Sequence, residues 1–162
     1  MNRAQLLHNF ETAWTALRFS YDGLSDARLT EAGVVENWSV QDILAHVTTW
    51  EEEALTHLPV IMAGGRPPRY AAQGGIDAFN ARKTAEKRDI TLAAVLEQHE
   101  ETHRRLIAFL ATAPEEHFTR ETRFRHRLRL DTYSHYPIHT VAIRAWRART
   151  ESGANAGETP GP

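Results

Sequence analysis

The sequence predicts an all-α protein, an antiparallel four-helix bundle with a short extra helix between the second and third long helices. Three observations carry this expectation. Apolar residues recur at helical spacing in four long stretches, capping residues precede these stretches, and no convincing strand pattern lies between them. At 162 residues the chain is long enough to bury one core. Residues 1–149 are expected to form the bundle, and 150–162, which lack large apolar side chains, a disordered tail.

The first long helix is expected from about Arg3 to Tyr21, capped by Asn2, with Leu6, Phe10, Ala13, Trp14, Leu17 and Tyr21 on one face. A loop through Gly23 and Gly33 follows. Ser39 then caps the second helix, and Asp42 reaches back as a variant capping box. Ile43, Leu44, Val47, Trp50, Ala54 and Leu58 form its stripe, and Pro59 is expected to bend or shorten its last turn. Glycine pairs bound a loop over residues 64–75, and a short helix covers Asp77 to Lys87. Thr91 caps the third long helix, which runs to about Thr112, before Pro114. Arginines alternate with Phe124, His126, Leu128 and Leu130 over residues 123–130, a period of two that reads as an extended segment. Its charge run reads as a solvated face, with an anion or carboxylate site as the alternative. The fourth long helix is expected from about Asp131 to Arg149.

The formal charge of -2 leaves no global basic field, so nucleic acid is not an expected partner. No cysteine is present, which excludes a thiolate ligand or nucleophile from the chain itself. Any thiol would come from a small molecule. The start, Met-Asn-Arg-Ala-Gln, leads straight into an amphipathic pattern, so no signal peptide is expected. No stretch approaches the ~20 apolar residues of a membrane span. No membrane partner is expected, and a cytoplasmic location is.

Two histidine pairs have one-turn spacing. His135 and His139 fall on the inward face that Ala142, Ile143 and Trp146 define for the fourth helix. His46 lies on the flank of the second helix, roughly 80° from the centre of its stripe. Glu53 and His57 continue that flank. Two readings stand. Either His46, His135 and His139 are three ligands of a metal with a fourth position open, or they are core histidines satisfied by neighbours. The other pair, in His99-Glu100-Glu101-Thr102-His103, matches the zinc-protease pattern His-Glu-x-x-His. Gln98, Glu101, Arg104 and Arg105 crowd it with charge, and Leu106 and Phe109 occupy the region where metzincins carry a glycine and a third histidine. A protease is therefore the least favoured reading, and His99 and His103 are expected to line the bundle interior or a pocket wall.

Asn37-Trp-Ser-Val-Gln-Asp-Ile-Leu-Ala-His-Val-Thr-Thr-Trp50 and Asp131-Thr-Tyr-Ser-His-Tyr-Pro-Ile-His-Thr-Val-Ala-Ile-Arg-Ala-Trp146 resemble two signatures of the DinB/YfiT-like superfamily. The middle of the chain, Ile76–Asn80 through Thr91–Leu96, resembles the branch that includes the colibactin self-protection protein. The resemblance implies a four-helix bundle, often a homodimer, with a three-histidine site for a divalent transition metal (Zn²⁺ or Ni²⁺). The matching positions here are His46, His135 and His139. It also implies a possible low-molecular-weight thiol co-substrate. Mycothiol-dependent maleylpyruvate isomerases carry a carboxylate at the position of His135, so their substrate does not carry over.

Three functions follow as expectations. The first is a metal-dependent thiol transferase or hydrolase acting on a small electrophile, with Glu53 or His57 as base and arginines of residues 123–129 orienting an anionic group. The second is a small-molecule binding or self-resistance protein without an obligatory metal, with Trp14, Trp50, Tyr136 and Trp146 as candidate walls. The third is an interaction domain with a vestigial site and a filled interior.

Overall fold

The computed structural model describes residues 1–155. Helix α1 (Arg3–Tyr21) starts at a capping box between Asn2 and Gln5 and buries Leu6, Phe10, Trp14 and Leu17. A short α2 (Asp26–Leu29) lies in the following loop, capped by Ser25. Helix α3 (Val40–Met62) starts at the expected box of Ser39 and Asp42. It runs through Pro59 for three more residues, although proline removes one helical N–H donor. A 3-10 turn (Tyr70–Gln73) precedes α4 (Ile76–Lys87), and Thr91 caps α5 (Leu92–Thr112). After α6 (Glu116–Thr119) come α7 (Arg123–Asp131) and α8 (Tyr136–Asn155).

The four long helices α1, α3, α5 and α8 are the bundle. Helix α3 packs most extensively on α5, and α1 on α8, while α8 touches α3 at few points. The core between them includes Phe10, Leu17, Leu44, Leu58, Leu106, Leu110 and Ile143. No strand occurs among the described residues; Val35 and Trp38 form one isolated bridge.

Two expectations are corrected. Residues 123–131 are helical, not extended. Thr122 accepts a hydrogen bond from the Arg125 N–H, and Phe124, Leu128 and Asp131 turn inward. A period of two over eight residues also satisfies the i, i+4 rule, and the cap decides between the readings. Helix α8 begins at Tyr136, five residues after the expected start. A helix from Asp131 would place Pro137 in its interior, where a helical N–H is needed; starting at Tyr136 puts that proline in the first turn. His135 therefore sits in the turn before α8, and Tyr136 takes the fully buried position. Residues 150–155 of the expected tail are the end of α8, and the rest of it lies outside the described residues.

Candidate metal centre

The capped start of α3 sets the phase of that helix and points His46 toward α8. The turn Thr132–His135 is closed by the His135 and Tyr136 N–H groups, both donating to the Thr132 carbonyl. It carries His135 to the same place, and the first turn of α8 supplies His139. The three Nε2 atoms converge: His46 to His135 is 3.1 Å, and His139 to His135 is 2.9 Å. All three ligand atoms lie within 4.8 Å of one another.

Burial holds these imidazoles neutral. His46 is lowered to about 3 by burial, then by His135 and His139. His139 is lowered to about 3 by burial and His135. Burial lowers His135 to about 4 against the opposing main-chain carbonyl of Asp131. A neutral imidazole has one N–H and one lone pair, and a buried polar nitrogen needs a partner. Three Nε2 atoms facing each other cannot all be satisfied by hydrogen bonds among themselves. A cation at ~2.0–2.1 Å from each would satisfy all three, with tetrahedral ligand separations of roughly 3.3 Å. The residues present fit a divalent transition metal.

Beside the triad is a cavity of about 500 Å³, lined by His46, Trp50, Tyr70, Asn80, Arg127 and His135 among others. The cavity lies between α3, α4, α7 and the turn before α8, beside the packed core of the four long helices. One wall is a polar network. Arg127 donates to Asp131 and to the Tyr70 hydroxyl, and Tyr70 donates to Glu53 Oε2 at 2.6 Å. Burial pushes Asp131 up to about 7 against the pull of Arg127. Burial works against the Arg127 charge, but Asp131 and Tyr70 more than offset it and keep the guanidinium protonated. The Asn80 Oδ1 is buried without a hydrogen-bond partner.

Glu53 and His57 pair with each other on α3 at 3.0 Å. Glu53 lies seven residues, roughly 10 Å of helical rise, beyond His46. Neither lines the cavity; Tyr70 and Arg127, which do, carry the contacts of Glu53 to its wall. Sequence reasoning missed Tyr70 and Asp131 and named Arg127 only within a run. An i, i+4 arginine–aspartate pair was the available signal, hidden by reading the segment as extended.

The rival pair does not converge on a shared ligand position. His99 is fully buried and its Nδ1 lies 3.2 Å from Thr48 Oγ1, which itself donates to the Leu44 carbonyl; His99 is therefore the donor. His103 stacks on Trp14 and Phe10 and contacts Glu51 through Nδ1 at 3.1 Å. Glu100, the base of a protease reading, pairs with Arg18 at the surface instead. Of the four aromatic walls considered, Trp50 lines the cavity; Trp14, Tyr136 and Trp146 are core.

Three solved structures share this fold. The sibling lethal factor precursor DfsB is 13% identical, with a TM-score of 0.75 over 93% of this chain and 97% of that one. The colibactin self-resistance protein ClbS, solved in complex with double-stranded DNA, is 14% identical, with a TM-score of 0.73 over 89% and 94%. An uncharacterised protein from Escherichia coli UTI89 is 11% identical, with a TM-score of 0.74 over 93% and 95%. Comparison with curated proteins gives no match. The ClbS complex overturns the expectation that nucleic acid is excluded as a partner. A net charge of -2 is a sum over the chain and says little about a local field; here Arg123, Arg125, Arg127 and Arg129 share one nine-residue helix. The family model that matches is that of the DinB superfamily, over residues 9–142, a span that includes His46, His135 and His139. The chain belongs to the DinB superfamily.

Proposed function

We propose that this protein is a divalent-metal-dependent enzyme, a thiol transferase or hydrolase, acting on a small electrophilic molecule. The observation that carries the reading is the convergence of three Nε2 atoms, from buried His139 and half-buried His46 and His135, beside a cavity with a fixed cation in its wall. A Zn²⁺ or Ni²⁺ ion bound there lowers the pKa of water or a thiol and polarises a substrate. The chain has no cysteine, so a thiol nucleophile is a low-molecular-weight co-substrate.

The protein's own groups do the rest. Trp50, Ile76 and Leu130 hold the apolar part of the substrate, and Arg127 orients an anionic group. Asn80 lines the cavity on the α4 side. Glu53 and His57 act on the cavity through the Tyr70 hydroxyl, whose proton Glu53 accepts in a hydrogen bond. A homodimer is proposed through the outer face of α8, where Ile138 and Val141 are exposed.

The test is metal analysis of protein purified without a histidine tag, alongside the double variant His135→Ala, His139→Ala. Stoichiometric metal in the wild type and its loss in the variant are expected. Equal metal content in both removes the proposal.

A second reading, a self-resistance protein without an obligatory metal, is favoured by the fold shared with DfsB and ClbS and by the arginines of α7. It includes contact with duplex DNA through the phosphate backbone. Chelator-treated protein would then bind a short duplex with a salt dependence that weakens in an Arg123→Ala, Arg129→Ala variant. No binding at low salt rejects the DNA component.

A further inference from the structure

We infer that Glu51 and Tyr136 are positioning residues, a hydrogen-bonded tie that sets the distance between the two ligand-bearing elements of the three-histidine site. The inference rests on the metal reading proposed above. The site joins α3, which supplies His46, to the start of α8, which supplies His135 and His139. These elements touch little elsewhere: α8 packs along α1, and α3 along α5. At the site itself, the two elements are joined by the 3.1 Å contact between His46 Nε2 and His135 Nε2.

The tie is made by residues close to the ligands along both elements. Glu51 follows His46 by five residues, roughly 7.5 Å of rise on α3. Tyr136 follows His135 directly. The Tyr136 hydroxyl donates to Glu51 Oε1, and both residues are fully buried. The same oxygen accepts from His103 Nδ1 at 3.1 Å. The His103 ring is clamped against Trp14, 3.7 Å between centroids and nearly parallel, with Phe10 at 4.9 Å. Three long helices thus meet at one carboxylate oxygen, α3 through Glu51, α5 through His103 and α8 through Tyr136, and α1 joins them by stacking on His103. Here the His-Glu-x-x-His string finds its use, since His103 orients the carboxylate that anchors Tyr136.

A buried carboxyl is costly unless its hydrogen bonds are made, and half-made polar networks are poor stabilisers. Glu51 Oε2 has no hydrogen-bond partner. An aliphatic residue would fill this core position without that cost, so fold stability alone gives little reason for a glutamate there. Outer groups that orient ligands act on metal affinity, commonly by ~10–100-fold.

The experiment compares wild type with Tyr136→Phe, Glu51→Ala, Glu51→Gln and a control, Leu110→Ala, a destabilising core substitution on α5 away from the site. Co²⁺ affinity is read by d–d absorption, and nitrogen NMR of the imidazoles is recorded on metal-free protein. Roughly tenfold weaker Co²⁺ binding is expected for Tyr136→Phe and Glu51→Ala, with altered imidazole resonances for His46 and His135. Glu51→Gln keeps the accepting oxygen and stays near wild type, and Leu110→Ala binds Co²⁺ as wild type does. Unchanged affinity and resonances in Tyr136→Phe overturn the inference, as does an equal loss in Leu110→Ala. If wild type binds no Co²⁺, the metal reading falls, and the metal-free resonances still decide whether the tie positions the histidines.

Discussion

Nε2 of His46 and Nε2 of His135 stand 3.1 Å apart, although 89 residues of sequence separate them. Both rings are half-buried, and desolvation keeps them neutral at ordinary pH, so the contact is between groups with lone pairs to place. Such a pair is costly in a protein core unless something is shared between its members.

The first prediction concerns acid. His46, His99 and His139 are lowered to about 3 and His135 to about 4 by burial. Below about pH 6.5 the unfolded chain binds protons that these folded histidines refuse. Stability is therefore lost as pH falls from 6.5 toward 4. Asp131 and Glu51, both raised by burial, have the opposite sign: their contribution is present at low pH and lost as pH rises through their folded values. The four histidines outnumber the two carboxyls, so the balance favours proton uptake by the unfolded state. Melting temperature should fall steadily from pH 7 to pH 4.5 in metal-free protein. A flat or rising profile would contradict the buried, neutral histidines.

Trp38 and Trp50 lie 5.0 Å and 6.4 Å from the His46 ring, between centroids, whereas Trp14 and Trp146 are core residues elsewhere. Titration with Cu²⁺ should quench part of the tryptophan fluorescence. Trp38→Phe with Trp50→Phe should remove most of the quenching. Full quenching in that double variant would place the metal elsewhere.

Arg127→Ala leaves Asp131 buried without its cation and deprives Tyr70 of a donor. A loss of about 2–4 kcal/mol is expected in urea unfolding, since removing one partner of a buried pair strands the other. Arg127→Lys keeps the charge but not the fork and should fall between. Under 0.5 kcal/mol for the alanine variant would show the network to be incidental.

Thr122→Ala and Ser39→Ala remove the caps of α7 and α3. Each should cost about 1 kcal/mol. The Thr122 variant should also weaken binding of anionic ligands, because α7 carries Arg127; an anion affinity that survives the loss of the cap would detach the helix from the site.

Much of the fold was legible because its signals are local. Asn2, Ser39 and Thr91 cap their helices where the sequence placed them, the stripe of α3 is buried throughout, and Leu6, Phe10, Trp14 and Leu17 of the α1 stripe are buried. The misread stretch, residues 123–136, is the one where two local rules compete. Alternation and helical spacing coincide over eight residues, and the veto of Pro137 on an earlier start of α8 was not applied.

The sequence by itself determined the helical class and the caps, and it singled out the three histidines as candidates, because periodicity, capping chemistry and residue type act over one or two turns. Only the tertiary structure decided that Tyr136, not His135, enters the core, that Arg127, Tyr70 and Asp131 wall the cavity, and that Glu51 and His103 knot the four helices together. These depend on how helices far apart in sequence approach one another, and a hydrogen bond forms or fails over a few tenths of an ångström that no local pattern specifies.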